Sequence, residues 1–380
     1  MNIIPTNIPF VDLKLQHQPL KIEIENAIQT VLEKGDFVLG QAVEKFETSF
    51  ATACGVKYAI GVACGTDAIA LGLKACGIGE GDEVILPANT FIATLIGVLH
   101  AGATPVLVDC NSETALIDLA AAQKAVTSKT KVILPVHLYG QMVSPGELQN
   151  FAQANNLIIF EDAAQAHLAQ REGCCAGSVG TAAAFSFYPS KNLGCFGDGG
   201  ALVTNAPEVA NKMRSLRNYG APRKYVHEQL GTNSRLDTIQ AAILNVKLPY
   251  LSGWNSDRHK AGQKYDTLLS PMKERGIIPV KNLSGSGHIY HLYVIRVTDE
   301  SPINRDILKE KLTAAGISVG IHYPIPCHLQ PAYQKLGYKT GDFPNSEMLS
   351  QQILSLPMYP GISEEQINYV VQTISQIINK

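Results

Sequence analysis

One lysine stands between two apolar runs in the stretch Ala184-Phe-Ser-Phe-Tyr-Pro-Ser-Lys-Asn-Leu-Gly-Cys-Phe-Gly-Asp-Gly-Gly-Ala-Leu-Val-Thr204. The first run ends in a Ser/Tyr/Pro turn, Lys191 follows, and a glycine-rich loop leads into the second run. A lysine in a loop is ordinarily a solvated surface charge. Placed between two buried strands, this one is set to point into a site, and Gly-Asp-Gly-Gly lets backbone approach a ligand closely. A second stretch, Leu157-Ile-Ile-Phe-Glu-Asp-Ala-Ala-Gln-Ala-His167, delivers Glu161 and Asp162 at the carboxyl end of an apolar run. Carboxylates there bind metal, act as a base or pair with a buried cation; the plainer reading is that Asp162 caps a following turn. In Ala63-Cys-Gly-Thr-Asp-Ala-Ile69, a strand passes through Gly65 and Thr66 into a helix. A helix N-terminus presents free N–H groups and a positive dipole end that suit a phosphate; as an ordinary N-cap, Thr66 would need no ligand. Gly77-Ile-Gly-Glu-Gly81 precedes a strand and lacks the spacing of a dinucleotide fingerprint.

The surrounding elements follow from hydrophobic period. Residues 20–34 carry Ile22, Ile24, Ala27, Ile28, Val31 and Leu32 near helical spacing, with a stop at Gly35. Short apolar runs at 58–62, 83–86, 104–108, 131–136, 157–161, 182–187 and 201–204 read as buried strands. Helices are expected between them at 66–75, 91–100, 119–126 and 145–155. That alternation predicts an α/β fold with a mainly parallel sheet covered on both faces, and chemistry at the carboxyl ends of its strands. From about residue 248 the texture changes to a long polar-rich helix over 254–269, a strand at 291–297 and helices at 307–315 and 364–378. The chain is therefore read as a large domain over 1–250 and a smaller α+β domain over 251–380, without internal repeats.

Composition narrows the function classes. Apolar residues make up 46% of the 380 and charged residues 17%, enough to bury a large core and too little charge for disorder. With a formal net charge of -2 there is no global basic field for nucleic acid, so an anionic ligand needs locally placed donors. The opening MNIIPTNIPF does not read as a secretory leader, and no run approaches the roughly 18 apolar residues of a membrane helix. The eight cysteines form no Cys-x-x-Cys pair and sit beside no histidine cluster, so thiols in a reducing cytoplasm are expected and no metal site.

Taken together, these motifs resemble the sugar-aminotransferase family named for the DegT, DnrJ, EryC and StrS proteins. The resemblance runs nearly the whole chain. It covers Gly-Asp-Phe-Val-Leu-Gly40, Gly65-Thr-Asp-Ala, Pro87-Ala-Asn-Thr-Phe-Ile-Ala-Thr94, Glu161-Asp-Ala-Ala-Gln165, Ser186-Phe-Tyr-Pro-Ser-Lys191, Gly231-Thr-Asn-Ser-Arg-Leu-Asp237 and His322-Tyr-Pro-Ile-Pro-Cys-His-Leu-Gln330. It implies the type I fold of the pyridoxal-5′-phosphate (PLP) transferases, a mainly parallel, mixed seven-stranded sheet flanked by helices with a smaller C-terminal α+β domain. On that resemblance Lys191 holds PLP as a Schiff base and shuttles the proton. An ordinary lysine is only about 0.1% neutral near pH 7.4, so the site must favour the neutral amine. Asp162 would pair with the pyridine nitrogen, which turns the ring into an electron sink. Phe91 would stack on the ring, where plain core packing is the alternative, and Gln165 would bond the ring hydroxyl. Gly65, Thr66 and Ser186 would hold the phosphate, completed by Asn233 of a second subunit, so the site forms in a homodimer.

The resemblance further implies Arg235, His322 and Tyr323 as substrate residues, Arg235 offering planar donors to a diphosphate. The bland alternative for Arg235 is an ion pair with Asp237. His137, His167, His288 and His328 receive no role. The expected reaction is amine transfer from L-glutamate to a nucleotide-linked keto-sugar, most like the members that aminate carbon 3 of UDP- or dTDP-sugars. Amination at carbon 4 uses the same machinery. A PLP-dependent sugar dehydratase would carry His where Lys191 stands, and a regulatory homologue without turnover would not need Lys191, Asp162 and Ser186 together.

Overall fold

The computed structural model describes residues 7–379. Residues 1–6, part of the opening read as carrying no leader, lie outside the described residues. The chain begins with a short helix α1 (Leu13–His17) and two longer ones, α2 (Lys21–Lys34) and α3 (Gln41–Cys54). Gly35 and Gly55 end the two longer helices in left-handed geometry, φ 70° and 71°, which glycine adopts without a steric penalty.

Strands and helices then alternate through β1 (Tyr58–Val62), α4 (Gly65–Ala75), β2 (Glu83–Pro87), α5 (Ile92–Ala101), β3 (Thr104–Val108), α6 (Leu119–Ala125), β4 (Thr130–Ile133), α7 (Pro145–Asn155) and β5 (Ile158–Asp162). A two-residue ribbon, β6 (Gln170–Arg171) with β7 (Cys174–Cys175), precedes β8 (Ala182–Ser186) and β9 (Gly200–Thr204). The large sheet has seven strands in the order β1-β9-β8-β5-β4-β2-β3. Neighbours from β3 through β8 run parallel, whereas β9 is antiparallel to both β8 and β1. Parallel neighbours need a crossover, usually a helix; an antiparallel pair can be joined directly. The direct join between β8 and β9 is the loop that carries Lys191.

Both outer edges of this sheet meet side chains. Along β1, the Gly61 N–H donates to Glu47 (2.8 Å) while Arg217, paired with Glu47, donates to the Gly61 carbonyl (2.7 Å). The flanking amides of Lys57 and Ala63 donate to Asn205 and Ser234. At the far edge, the Leu107 amide donates to the Tyr338 hydroxyl (3.0 Å).

After α8 (Pro207–Leu216), α9 (Thr238–Lys247) and α10 (Leu251–Leu269), a second sheet of β10 (Ile277–Pro279), β11 (Tyr293–Val297) and β12 (Ile353–Leu356) forms, antiparallel throughout. It packs with α10, α11 (Arg305–Ala314) and α13 (Glu364–Ile378) around Tyr265, Ile295, Leu308, Leu354 and Ile374. Helix α12 (Pro344–Gln352) is bound to the large sheet by buried Asp109, just beyond β3, which accepts from the Asn345 and Ser346 amides. The N-terminal strand segment crosses to this side too, with Ile8 bridging Ile317.

Several boundaries differ from the expected ones. The strand expected over 131–136 is shorter, and Val136 beyond it makes an isolated parallel bridge to Asp162. The strand expected from 291 starts at Tyr293, and His291 turns toward Asn192 instead. The helix expected from 307 begins at Arg305, where Asn304 caps the Ile307 amide. No helix among the described residues is long and apolar enough to cross a membrane.

Candidate functional site

A cavity of about 430 Å³ opens at the carboxyl ends of β1, β2, β5 and β8. Lys191 lines it from the β8–β9 loop, half-buried by surface area and closely surrounded by protein. Burial lowers its amine to about 8, against the opposing pull of Asp162. An amine at 8 is roughly one-fifth neutral at pH 7.4, far above an ordinary lysine.

The alternation of β5 separates its two terminal carboxylates. Glu161 is fully buried on the face away from the cavity. It accepts from the amides of Gly177, Val179 and Gly180 (each 2.9 Å) and pairs with His137 Nε2. His137 Nδ1 accepts from the Val143 amide, so Nε2 carries the proton that Glu161 receives. Asp162 faces the cavity. Thr94 donates to one of its oxygens at 2.7 Å and the Ala164 amide to the other at 3.1 Å. The turn-capping reading of Asp162 therefore holds alongside its position in the cavity. Burial raises the Asp162 carboxyl, while Thr94, Ala164 and Lys191 hold it down.

A phosphate-sized cradle lies at the start of α4. The helix begins at Gly65, so its N-cap is Cys64, whose sulfur accepts from the Asp67 amide (3.5 Å). This corrects the N-cap reading of Thr66, which sits inside the first turn. Ala68 bonds back to the Cys64 carbonyl, leaving Gly65 and Thr66 as first-turn amides without an intrahelical acceptor. A Cβ on Gly65 would stand 2.8 Å from Ser186 Cβ, and one on Gly200 would stand 2.4 Å from the Cys64 carbonyl carbon. The glycines keep the α4 start and the β8–β9 strand ends close without filling the space between them.

The outer wall comes from the C-terminal part of the chain. The Tyr323 ring lies 5.3 Å from the Phe91 ring at the mouth, and Phe91 is 51% exposed, which is not ordinary core packing. Gln165 donates to the Tyr323 hydroxyl (3.0 Å) and accepts from the Tyr139 amide (2.7 Å). The Tyr139 hydroxyl donates to the His322 carbonyl (2.6 Å). His322 is kept neutral, lowered to about 4 by burial and then by Lys191.

Nine of the residues singled out in the sequence line one cavity: Gly65, Thr66, Phe91, Asp162, Gln165, Ser186, Lys191, His322 and Tyr323. Asn233 and Arg235 do not line it. Asn233 is exposed and bridges Asn218. Arg235 donates to Asn218 (2.9 Å) and lies over the Tyr219 ring (5.5 Å) instead of pairing with Asp237. Sequence reasoning missed Thr94 and Thr90, which share a 2.8 Å hydroxyl contact, and His291 on the cavity wall. Two threonines at helical i, i+4 spacing just past an apolar strand were the available signal. His167, given no role, is buried behind the site with Nε2 on the Ser186 carbonyl (2.8 Å).

The donor set suits PLP. It offers a lysine amine lowered by burial, a buried carboxylate with two donors, an aromatic ring at the mouth, and hydroxyl and amide donors at a helix start. Among the described residues no group of three His, Cys, Asp or Glu is placed to hold a metal.

Comparison with known proteins points to one family. The model of the DegT/DnrJ/EryC1/StrS aminotransferase family matches residues 19–375. A pleiotropic regulatory protein of Geobacillus stearothermophilus is 44% identical, over 97% of this chain and 98% of its own. The dTDP-3-amino-3,4,6-trideoxy-alpha-D-glucose transaminase of Streptomyces venezuelae is 42% identical, over 97% of this chain and 96% of its own. The crystal structure of S. venezuelae DesV in complex with a ketimine intermediate superposes with a TM-score of 0.94 at 42% identity, covering 98% and 99% of the two chains.

Proposed function

Because this chain belongs to the DegT/DnrJ/EryC1/StrS aminotransferase family, whose members work with PLP, we propose that it carries an amino group from L-glutamate to carbon 3 of a dTDP- or UDP-linked keto-sugar. The observation that carries the reading is Lys191 and Asp162 lining one cavity beside the start of α4, with Lys191 lowered to about 8. When bound, PLP supplies a carbonyl carbon that captures amines and a ring that withdraws electron density. Lys191 would hold it and, as a partly neutral amine, would take and return the proton at the substrate carbon. Asp162, steadied by Thr94 and Ala164, would balance the positive ring nitrogen. Phe91 would cover the ring, Gln165 would bond its hydroxyl, and Gly65, Thr66 and Ser186, which line the same cavity, would hold the phosphate.

The active site in this reading is shared between two copies of the chain. Asn233 is exposed and Arg235 lies outside its own chain's cavity, which supports their reaching the site of the partner, Asn233 toward phosphate and Arg235 toward a substrate diphosphate. His322 and Tyr323 complete the sugar-nucleotide side. The division into a large domain over 1–250 and a small one over 251–380 belongs to the same proposal. All seven strands of the large sheet end by Thr204 and the three-stranded sheet begins at Ile277, in support of it. A reducing, cytoplasmic location fits the eight free thiols.

The test is a pair of half-reactions. L-Glutamate should bleach the cofactor absorbance and release 2-oxoglutarate, and a panel of dTDP- and UDP-linked 3-keto and 4-keto sugars should restore it. Restoration by 4-keto sugars alone would move the amine to carbon 4. No response to glutamate would favour the second reading, a regulatory protein, which the name of the Geobacillus relative recommends and the retained Lys191 and Asp162 oppose.

A further inference from the structure

One face of the His322 ring is covered by a segment the function does not otherwise use. Residues 8–10 run along the small sheet. Ile8 donates to the Gly316 carbonyl (2.8 Å) and accepts from Ser318 (2.9 Å), and Phe10 accepts from the Met358 amide (3.2 Å). That anchoring lays the Phe10 ring on His322, centroids 5.6 Å apart and planes within 16°. Gly320 closes another side, since a Cβ there would stand 2.7 Å from His322 Cε1 and 3.4 Å from Phe10 Cζ. Gly320 is itself fixed by paired backbone bonds with Ser355, whose hydroxyl meets His322 Nδ1 at 2.9 Å. Tyr139 holds the His322 carbonyl from the large-sheet side.

We infer that Phe10 is a positioning residue: the segment 8–10 straps His322 so that Nδ1 is spent on Ser355 and Nε2 alone is offered to the nucleotide-linked substrate in the cavity. This deepens the proposed function and rests on its assignment of His322 to the substrate. The geometry carries it, and the neutral state imposed by burial agrees with it, because a neutral ring bonded to Ser355 through Nδ1 has a single remaining hydrogen-bonding atom. One ring stacked on another contributes enough that its loss costs about three- to tenfold in an equilibrium that depends on it.

The experiment uses the PLP-loaded enzyme, with dTDP and UDP as probes of the nucleotide diphosphate. Phe10→Ala should weaken binding of whichever nucleotide the wild type holds by about three- to tenfold. The glutamate half-reaction should stay within twofold, and Phe10→Tyr, which keeps a ring, should recover most of the loss. In ¹⁵N-histidine spectra, the His322 ring should pass from a single-tautomer pattern in the wild type to an averaged one in Phe10→Ala. Added to His322→Gln, Phe10→Ala should cost nothing further in nucleotide binding. Unchanged ring signals in Phe10→Ala overturn the inference, as does an equal loss in the glutamate half-reaction, which would make Phe10 a plain structural residue. If His322→Gln binds nucleotide as well as wild type, the assignment of His322 to substrate fails, and the ring signals alone then decide whether Phe10 positions it.

Discussion

The lowered amine of Lys191 makes a prediction about the protein stripped of its cofactor. Burial holds the amine near 8 and Asp162 pulls it upward. At pH 7.4 an amine at 8 is about 20% neutral and one at the ordinary value about 0.1%, so Lys191 has roughly two-hundredfold more nucleophile than a surface lysine. Replacing Asp162 with Asn removes the negative charge and keeps an oxygen for the Thr94 hydroxyl to bond. The midpoint should then fall below 8, and the neutral fraction at pH 7.4 should climb from one-fifth toward one, a gain limited to about fivefold. Trace acetylation across pH 6 to 11, read by peptide mass spectrometry at Lys191 with surface lysines as internal standards, measures the midpoint directly. A wild-type midpoint near 10 would refute the role of burial. A midpoint that rises in Asp162→Asn would refute the sign of the coupling.

Three further outcomes are expected. Lys247 is fully buried, donates to the Gly194 carbonyl and is lowered to about 8 by burial, against a pull upward from Cys195. Its folded value lies below its unfolded one, so a penalty is fully present below pH 8 and gone above about 10.4. Stability of wild type relative to Lys247→Met, measured by urea unfolding, should therefore improve from pH 7 to 10.5 by up to about 3 kcal/mol, and a swing the other way would contradict it. Mixed Lys191→Ala and Asn233→Ala subunits should regain activity in verified hybrids, up to one intact site each; none at all would count against a shared site. Arg235→Ala should lower kcat/KM of the sugar half-reaction about ten- to a hundredfold and the glutamate half-reaction less, as stopped-flow spectra can separate. Equal losses would assign Arg235 to the fold or the cofactor.

Much of the large sheet was legible because its strands are buried on both faces and read as continuous apolar runs between turns. The strands at 58–62 and 104–108 and the helix at 145–155 have the expected limits. The helices α3, α8 and α9 were not anticipated; α3 packs on α9 and β1, α8 on α4 and β1, and α9 on α2 as well as α3. The direction of β9 was equally hidden. Periodicity reports which residues are buried and says nothing about whether the next strand runs back.

At the site, the resemblance led to nine residues that share one cavity, and physics alone would have left Glu161 and Asp162 equivalent. Register separates them: one residue of offset on β5 turns Glu161 into a loop anchor and Asp162 toward Lys191. The bond from Thr94 to Asp162 and the hold of Phe10 on His322 join residues 68 and 312 positions apart, and no local pattern encodes such contacts.

The pairing of Glu47 and Arg217 at Gly61 bears on how this chain meets copies of itself. An outermost strand with bare amides and carbonyls is a template on which another chain can extend the sheet, the route to open-ended fibres. Here one acceptor and one donor occupy the two groups that a visiting strand would use at Gly61, and Asn205, Ser234 and, across the sheet, Tyr338 occupy others. At these positions the edge groups are satisfied, and Gly61 is itself buried behind Glu47 and Arg217. Strand addition by another chain is therefore disfavoured at Gly61, and any contact between copies would fall to the surfaces of helices and loops, where contacts can close on themselves.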